Sequence, residues 1–345
     1  MESDSIVRIV LTGGPCAGKS TVFEKLDKYL TEQGYYVITV PETATELIKR
    51  KIFPNSSNRE DILMFQDFVL QQQYIKECIA ETYAKKISET KKVIILYDRA
   101  IMDNRAYLQS QDDFDNLLSK YNLNELELLH KYDLVIDLVS TATCKPELYK
   151  LDGVRSESVS EAAALDKKTT TAWIHHPNIK LVKPTDNVKE KVDIVKNIVN
   201  NYLNHNEYKN KETLMLNNDS NLSIYNDDNS KKINIYSLYL DNDLVVIRKQ
   251  YRNNVMFMYG KYTNSYSQKM INEQEFINLI YNHKLLFTEQ KSEINFTSDG
   301  NIYKIVDIDN NLYLEKERNS ELENVSNLSF VFNESLVKRK KYDII

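Results

Sequence analysis

Positions 13–20 hold Gly13, Gly14, Pro15, Cys16, Ala17, Gly18, Lys19 and Ser20, with Thr21 next, and so fit the spacing G-x-x-x-x-G-K-[ST]. Those residue types in that order suit the capture of phosphate. Gly13 and Gly18 let the backbone turn its N–H groups toward anionic oxygens, and the start of the following helix adds further donors and its dipole. Lys19 would reach the β- and γ-phosphates of a nucleotide, and Ser20 would offer its hydroxyl to Mg2+. Cys16 reads as a small residue that suits the loop backbone rather than as a redox switch.

Two carboxylates follow apolar runs and would stand at strand ends, where open α/β sheets bind their ligands. Glu42 follows YYVITVP, and Asp98 follows VIILY and precedes Arg99. Either could hold a metal-bound water or take a proton from a nucleophile, and Asp98 is the better metal candidate beside Ser20. Phe65, Gln66, Phe68 and Gln71 share one predicted helix and could stack on, or hydrogen-bond, a base or acceptor. His175 and His176 have no third ligand spaced nearby, so a structural role outweighs a metal site.

The elements that must position these residues alternate. The runs Ile6–Thr12, Tyr36–Val40, Val93–Tyr97, Leu134–Leu138 and Ile179–Val182 read as strands. Longer amphipathic stretches lie between them, ending in a helix over Val188–Leu203. That alternation predicts an α/β domain with a parallel sheet over residues 1–204. Residues 205–231 are rich in Asn, Asp and Lys and read as a linker. From 232 to 345 the signals reverse to a mainly antiparallel β domain of seven strands with one helix at Glu273–His283. Period-two alternation puts Arg248, Gln250 and Arg252 on one strand face, with Lys261 on the next strand, a set of cations that would suit a phosphorylated ligand.

Composition narrows the classes. The chain has 345 residues, 28% of them charged, and a net charge of −5, so its averaged surface offers no attraction to a nucleic-acid backbone. No apolar run approaches a membrane span, and the start lacks the basic flank of a signal peptide, which predicts a soluble, cytoplasmic protein. Its three cysteines have neither the number nor the spacing of a disulfide framework. The basic run Lys338 to Lys341 could meet an acidic partner or touch anionic lipid peripherally.

RIVLTGGPCAGKST, Pro41-Glu42, and Asp98-Arg99 followed by Asp103 and Tyr107 together resemble the AAA-type P-loop ATPase family typified by TRPL-translocation-defect proteins. The resemblance continues through Arg155, Glu157, Glu161-Ala162, Leu165-Asp166, Trp173 and His176-Pro177. It implies that Arg155 lies in a lid-like segment as an internal arginine that neutralises developing charge, and that Trp173 packs its helix on the sheet. Asp98-Arg99 with Glu42 also resembles deoxynucleoside kinases, in which such a glutamate activates the acceptor hydroxyl. By the same family resemblance the β-rich half is a CYTH-like, triphosphate-tunnel barrel, with Glu315 and Glu317 in the place of its metal-holding or charge-balancing acids. A triphosphate or phosphoinositide would be its ligand. No Glu-x-Glu-x-Lys signature stands in KINIYSLYL, and Glu293 occupies a position that is basic in relatives.

Three functions remain open on these grounds: an NTPase switch coupled to a ligand-binding second domain, a nucleoside-like small-molecule kinase, and a nonenzymatic nucleotide-dependent adaptor. No guanine-reading motif appears, so the nucleotide is ATP or GTP.

Overall fold

The computed structural model describes residues 6–55, 57–144, 146, 158–204, 211–216, 232–261, 267–298, 301–308, 311–317 and 330–331. The chain divides into two compact units, Met1–Asn206 and Glu207–Ile345.

In the first unit β1 (Ile6–Gly13), β2 (Tyr36–Val40), β3 (Val93–Asp98), β4 (Leu134–Leu138) and β5 (Ile179–Val182) form one sheet in the order β2-β3-β1-β4-β5. Every pairing is parallel. Such strands are covered on both faces, which is why β1, β3 and β4 are almost continuously apolar. On one face α1 (Lys19–Glu32) and α9 (Val188–Leu203) bury Val22, Leu26, Leu30, Val192, Val195 and Val199 against Ile9, Leu11 and Ile136. The helical spacing of those residues is the amphipathic stripe read from the sequence.

Between these elements lie α2 (Thr43–Lys49), α3 (Arg59–Ile87), a 3-10 turn (Ile101–Asp103), α4 (Asn104–Tyr107), α5 (Gln111–Lys120), α6 (Glu125–Lys131), α7 (Thr141–Cys144) and α8 (Val159–Trp173). Side-chain caps start several of them. Asn58 accepts from Glu60 N–H at α3, and Ser158 and Glu161 form a reciprocal capping box at α8. Arg8 of β1 grips Glu81 of α3 with two hydrogen bonds, 2.7 and 2.8 Å, and so pins the long helix to the sheet.

The second unit is one nine-stranded antiparallel sheet in the order β10-β9-β8-β7-β11-β12-β13-β6-β14. Its strands are β6 (Lys211–Leu216), β7 (Ile233–Leu240), β8 (Leu244–Tyr251), β9 (Asn254–Lys261), β10 (Ser267–Ile271), β11 (Leu285–Ser298), β12 (Asn301–Ile308), β13 (Asn311–Glu317) and β14 (Phe330–Val331). The helix α10 (Glu273–Asn282) packs Phe276 against Leu240, Leu244 and Val246. Two strands depart from the sequence expectation. β6 falls inside 205–231, which reads as a linker because its flanks are polar, yet its backbone pairs with β13 and β14. β10 is short and polar and owes its place to pairing with β9. Among the described residues no helix is long and apolar enough to cross a membrane.

Candidate functional site

β1 is the central strand, so the turn after it emerges between the carboxyl ends of β3 and β4. Gly13 leaves the strand at φ 138°, Cys16 sits at 55° and Gly18 at 81°, all in the left-handed half of backbone space. A Cβ on Gly13 would stand 2.2 Å from the Leu138 carbonyl oxygen, and one on Gly14 would stand 2.4 Å from Asp166 Oδ1. Both glycines are therefore required by close approach as well as by the turn.

Four side chains fasten this loop from outside it. Asp166 of α8 accepts from Gly14 N–H at 2.9 Å and Ser140 N–H at 3.0 Å through Oδ1, and from the Thr143 hydroxyl at 2.6 Å through Oδ2. The Ser140 hydroxyl donates to Pro15 O. Lys191 of α9 donates to Ala17 O at 3.0 Å, and burial lowers its ammonium below the ordinary lysine range. Arg99 donates to Gly13 O at 2.9 Å. Within the loop, Lys19 is buried and its ammonium donates to Gly13 O at 3.0 Å and Gly14 O at 2.9 Å. Ser20 and Thr21, one residue on, are exposed.

Arg99 is the hub of the adjoining polar group. It sits at φ 64°, a conformation that costs a non-glycine residue about 1–3 kcal/mol and persists where the surroundings over-determine it. They do here. Its N–H donates to Leu11 O at 2.9 Å, Nε to Glu42 Oε1 at 2.8 Å, and a terminal nitrogen to Asp103 Oδ1 at 2.9 Å. Asp103 also accepts from the Thr12 hydroxyl, Ala100 N–H at 3.0 Å and the Trp173 indole at 3.2 Å. Trp173 is buried, meets the Tyr132 and His176 rings edge-on and is hydrogen-bonded to the floor of the site.

Glu42 and Asp98 lie in opposite electrostatic settings. Burial works to raise Glu42, but the charges of Arg99 and Lys19 and the hydrogen bonds from Thr45 and Arg99 outweigh it and hold the carboxyl at about 2. For Asp98 burial dominates, the Glu42 charge adds to it, and Lys19 and Arg99 only partly oppose it, so the carboxyl is pushed up to about 6. Asp98 Oδ1 is buried and has no hydrogen-bond partner among the described residues. Ser20 and Asp98 line one cavity of about 880 Å³, which continues along α2 and α3 past Glu42, Phe65, Gln66 and Tyr107. An unpaired carboxylate oxygen and a hydroxyl facing the same space fit Mg2+, which keeps most of its coordination for water and phosphate.

Other sequence candidates fall differently. Phe65 and Gln66 line the cavity, whereas Phe68 and Gln71 are exposed. His176 Nε2 donates to Tyr132 O at 2.9 Å and its Nδ1 accepts from Asn178 N–H at 3.0 Å, and among the described residues no group of three or more His, Cys, Asp or Glu could hold a metal. Arg155 and Lys338 to Lys341 lie outside the described residues. Asp103, Ser140, Asp166 and Lys191 carry no predicted role in the sequence reading. Asp103 and Asp166 fall inside the segments of resemblance, which was the available signal, while Ser140 and Lys191 had none.

In the second unit Arg248 opposes Tyr236 and Phe257, and Lys261 opposes Leu244, which puts both on one face of the sheet. Arg252 follows β8 at φ 54°. Glu315 opposes Lys304, and the register through β11 and β7 puts it on the face of Lys249, opposite to Arg248. Glu317 is placed at the end of β13 by its backbone alone. The face of Lys249 carries a cluster that sequence reading did not assemble. Lys291 meets Glu293 at 3.0 Å, Lys304 meets Glu293 at 3.5 Å, and Lys304 meets Glu315 at 3.8 Å. Burial, opposed by Glu293 but aided by Lys291 and Lys304, brings Lys249 down to about 8.

Comparison with curated proteins returns no match. A family model described as an AAA domain matches residues 8–191, more than half of the chain, and that span takes in the phosphate loop, Glu42, Asp98-Arg99, Asp166 and Lys191. The parallel sheet, the loop fastened at the end of its central strand and this match agree: the chain belongs to the AAA domain family, whose loop implies binding of a nucleotide.

Proposed function

We propose that the first unit is a Mg2+-dependent enzyme that transfers the γ-phosphoryl group of ATP or GTP to a hydroxyl of a small acceptor. The observation that carries this reading is the cavity of about 880 Å³ that begins at Ser20 and Asp98 and extends between α2 and α3. Hydrolysis needs space for one water, whereas this volume lies in the range of small-molecule sites, about 300–1,000 Å³. Its wall has an apolar side built by Ile62, Phe65 and Val69.

The charges of the wall narrow the acceptor. Among the described residues Glu42, Glu46, Asp98 and Asp103 line the cavity with two cations, Arg99 and Lys49. Arg99 is already engaged by Glu42, Asp103 and Gly13 O, and Lys49 is exposed at the end of α2. Among the described lining residues an acceptor bearing phosphate would meet no buried cation other than the already engaged Arg99, while Glu42, Asp98 and Asp103 disfavour its charge. The acceptor is therefore a neutral or cationic alcohol.

Lys19 and the loop N–H groups would hold the phosphates, and Arg155 would act as the internal arginine that the family resemblance implies. Ser20 and Asp98 would hold Mg2+, which when bound offsets charge on the transferring group. Glu42, ionised and fixed by Arg99 and Thr45, keeps lone pairs with which to orient the acceptor hydroxyl. The test is nucleotide turnover with MgATP and MgGTP, with and without nucleosides and their 5′-monophosphates. Diphosphate and phosphorylated product should form with neutral alcohols, not with monophosphates, and should vanish in Lys19→Ala and Asp98→Ala. Phosphate release that no acceptor stimulates would instead assign an NTPase switch, and binding without turnover an adaptor.

For the second unit we propose an anion site on the face of Lys249, Lys291 and Lys304, three half-buried lysines that share this face with Glu289, Glu293 and Glu315. A triphosphate or a phosphoinositide headgroup has the matching charge, as the CYTH-like resemblance implies. Titration calorimetry with inorganic triphosphate and with inositol phosphates, repeated on Lys304→Ala, tests it, and equal heats from both proteins would refute it.

A further inference from the structure

Helix α3 has two faces with different chemistry. Phe65, Gln66, Val69 and Gln73 line the cavity. On the far side Met64, Phe68, Ile75 and Ile79 lie within about 60° of one another around a helix of 3.6 residues per turn. Each is between 39% and 64% exposed, and Tyr83 continues the row at 45%. The other residues between them on this strip, Gln71, Gln72, Cys78 and Thr82, are uncharged. A face this long, apolar and free of charge on the outside of a globular unit marks an interaction surface.

We propose that this face pairs with the same face of a second copy of the chain, the two α3 helices running antiparallel about a two-fold axis. The order of residues along the helix is self-complementary under that operation. Turning α3 end for end about its middle near Gln73 sets Met64 against Tyr83 and Phe68 against Ile79, with Ile75 meeting Gln72. The same turn sets Glu60 and Asp61 of the first turn against Lys85 and Lys86 of the last. An isologous contact requires this kind of self-match. The helix dipole accounts for acids at the start and lysines at the end. It does not account for the uncharged apolar face held between them. Because the opposite side of α3 forms the cavity wall, pairing would also fix the position of that wall.

Sedimentation equilibrium of the full chain across the micromolar range reads the outcome directly. The wild-type protein should approach twice its 40.4 kDa mass. Ile75→Glu/Ile79→Glu should raise the dimer dissociation constant at least tenfold while leaving the far-ultraviolet circular dichroism spectrum of the folded chain unchanged, since both side chains are exposed. Lys85→Glu/Lys86→Glu should also weaken the dimer, and adding Glu60→Lys/Asp61→Lys to it should restore association, because the reversed charges again oppose each other in antiparallel order. A dimer that survives Ile75→Glu/Ile79→Glu overturns the proposal. So does a wild-type monomer, and if its Stokes radius grows in that variant the face is covered by the chain's own second unit.

Discussion

Asp166 offers the sharpest test of how the phosphate loop keeps its shape. It is buried, and its two oxygens take three hydrogen bonds, from Gly14 N–H, Ser140 N–H and the Thr143 hydroxyl. Hydrogen bonds to a charged group contribute about 1.5–3 kcal/mol each but are not additive when they share an acceptor. Asp166→Ala also leaves two backbone N–H groups buried without a partner, each costing about 1–3 kcal/mol. A loss of about 3–5 kcal/mol is expected, which in a unit of this size is a fall in Tm of roughly 6–20 °C. Asp166→Asn keeps an acceptor at Oδ1 for both N–H groups and should lose only about 1 kcal/mol. Urea unfolding followed by the fluorescence of Trp173, the single tryptophan and itself on α8, reports on this unit alone. Gly14→Ala gives the converse, since its Cβ would meet Asp166 Oδ1 at 2.4 Å, and much of its cost should disappear in the Asp166→Ala background. If Asp166→Ala loses under about 1 kcal/mol, or the two substitutions simply add, Asp166 does not hold the loop and the reasoning fails.

Two further outcomes follow from the charges on either unit. Burial holds His176 neutral, with its pKa lowered to about 4 from the ordinary imidazole range near 6.5. The unfolded chain therefore binds the extra proton first, so the stability this residue confers is full above about pH 6.5 and is lost as pH falls toward 4, a change of about 3 kcal/mol. Unfolding free energies at pH 7 and pH 4.5 for wild type and His176→Gln measure it, the variant showing a smaller difference. In the second unit Glu293→Gln strips Lys291 and Lys304 of their shared anion. It should destabilise that unit by about 1–3 kcal/mol, since the pairs are half-buried and Lys304 keeps Glu315, seen by circular dichroism with the Trp173 signal unmoved.

The strands and the long helices were legible because their patterns are local. β2, β4, β5, β7 and β8 have the boundaries that apolar periodicity assigns, since burial on one or two faces is written into every second residue or every third and fourth. The phosphate loop was legible for a similar reason: its glycines, lysine and serine fall within eight positions. What escaped were the supports. Asp166 lies 152 residues from Gly14 and Lys191 174 from Ala17, and nothing in the type or neighbours of either residue says which loop it will meet. The second unit shows the same limit from the other side. Period two sets Arg248 and Gln250 on one face of β8, but that Lys261 joins them, and which acids share a face with which lysines, is decided by pairing across β7, β8, β9, β11, β12 and β13. A one-residue slip in any register linking β8 to β13 would have put Glu315 with Arg248. Alternation orders residues along a strand, and only the register says which strands' residues meet, so the cation cluster became visible when Lys249, Lys291 and Lys304 were brought onto one face.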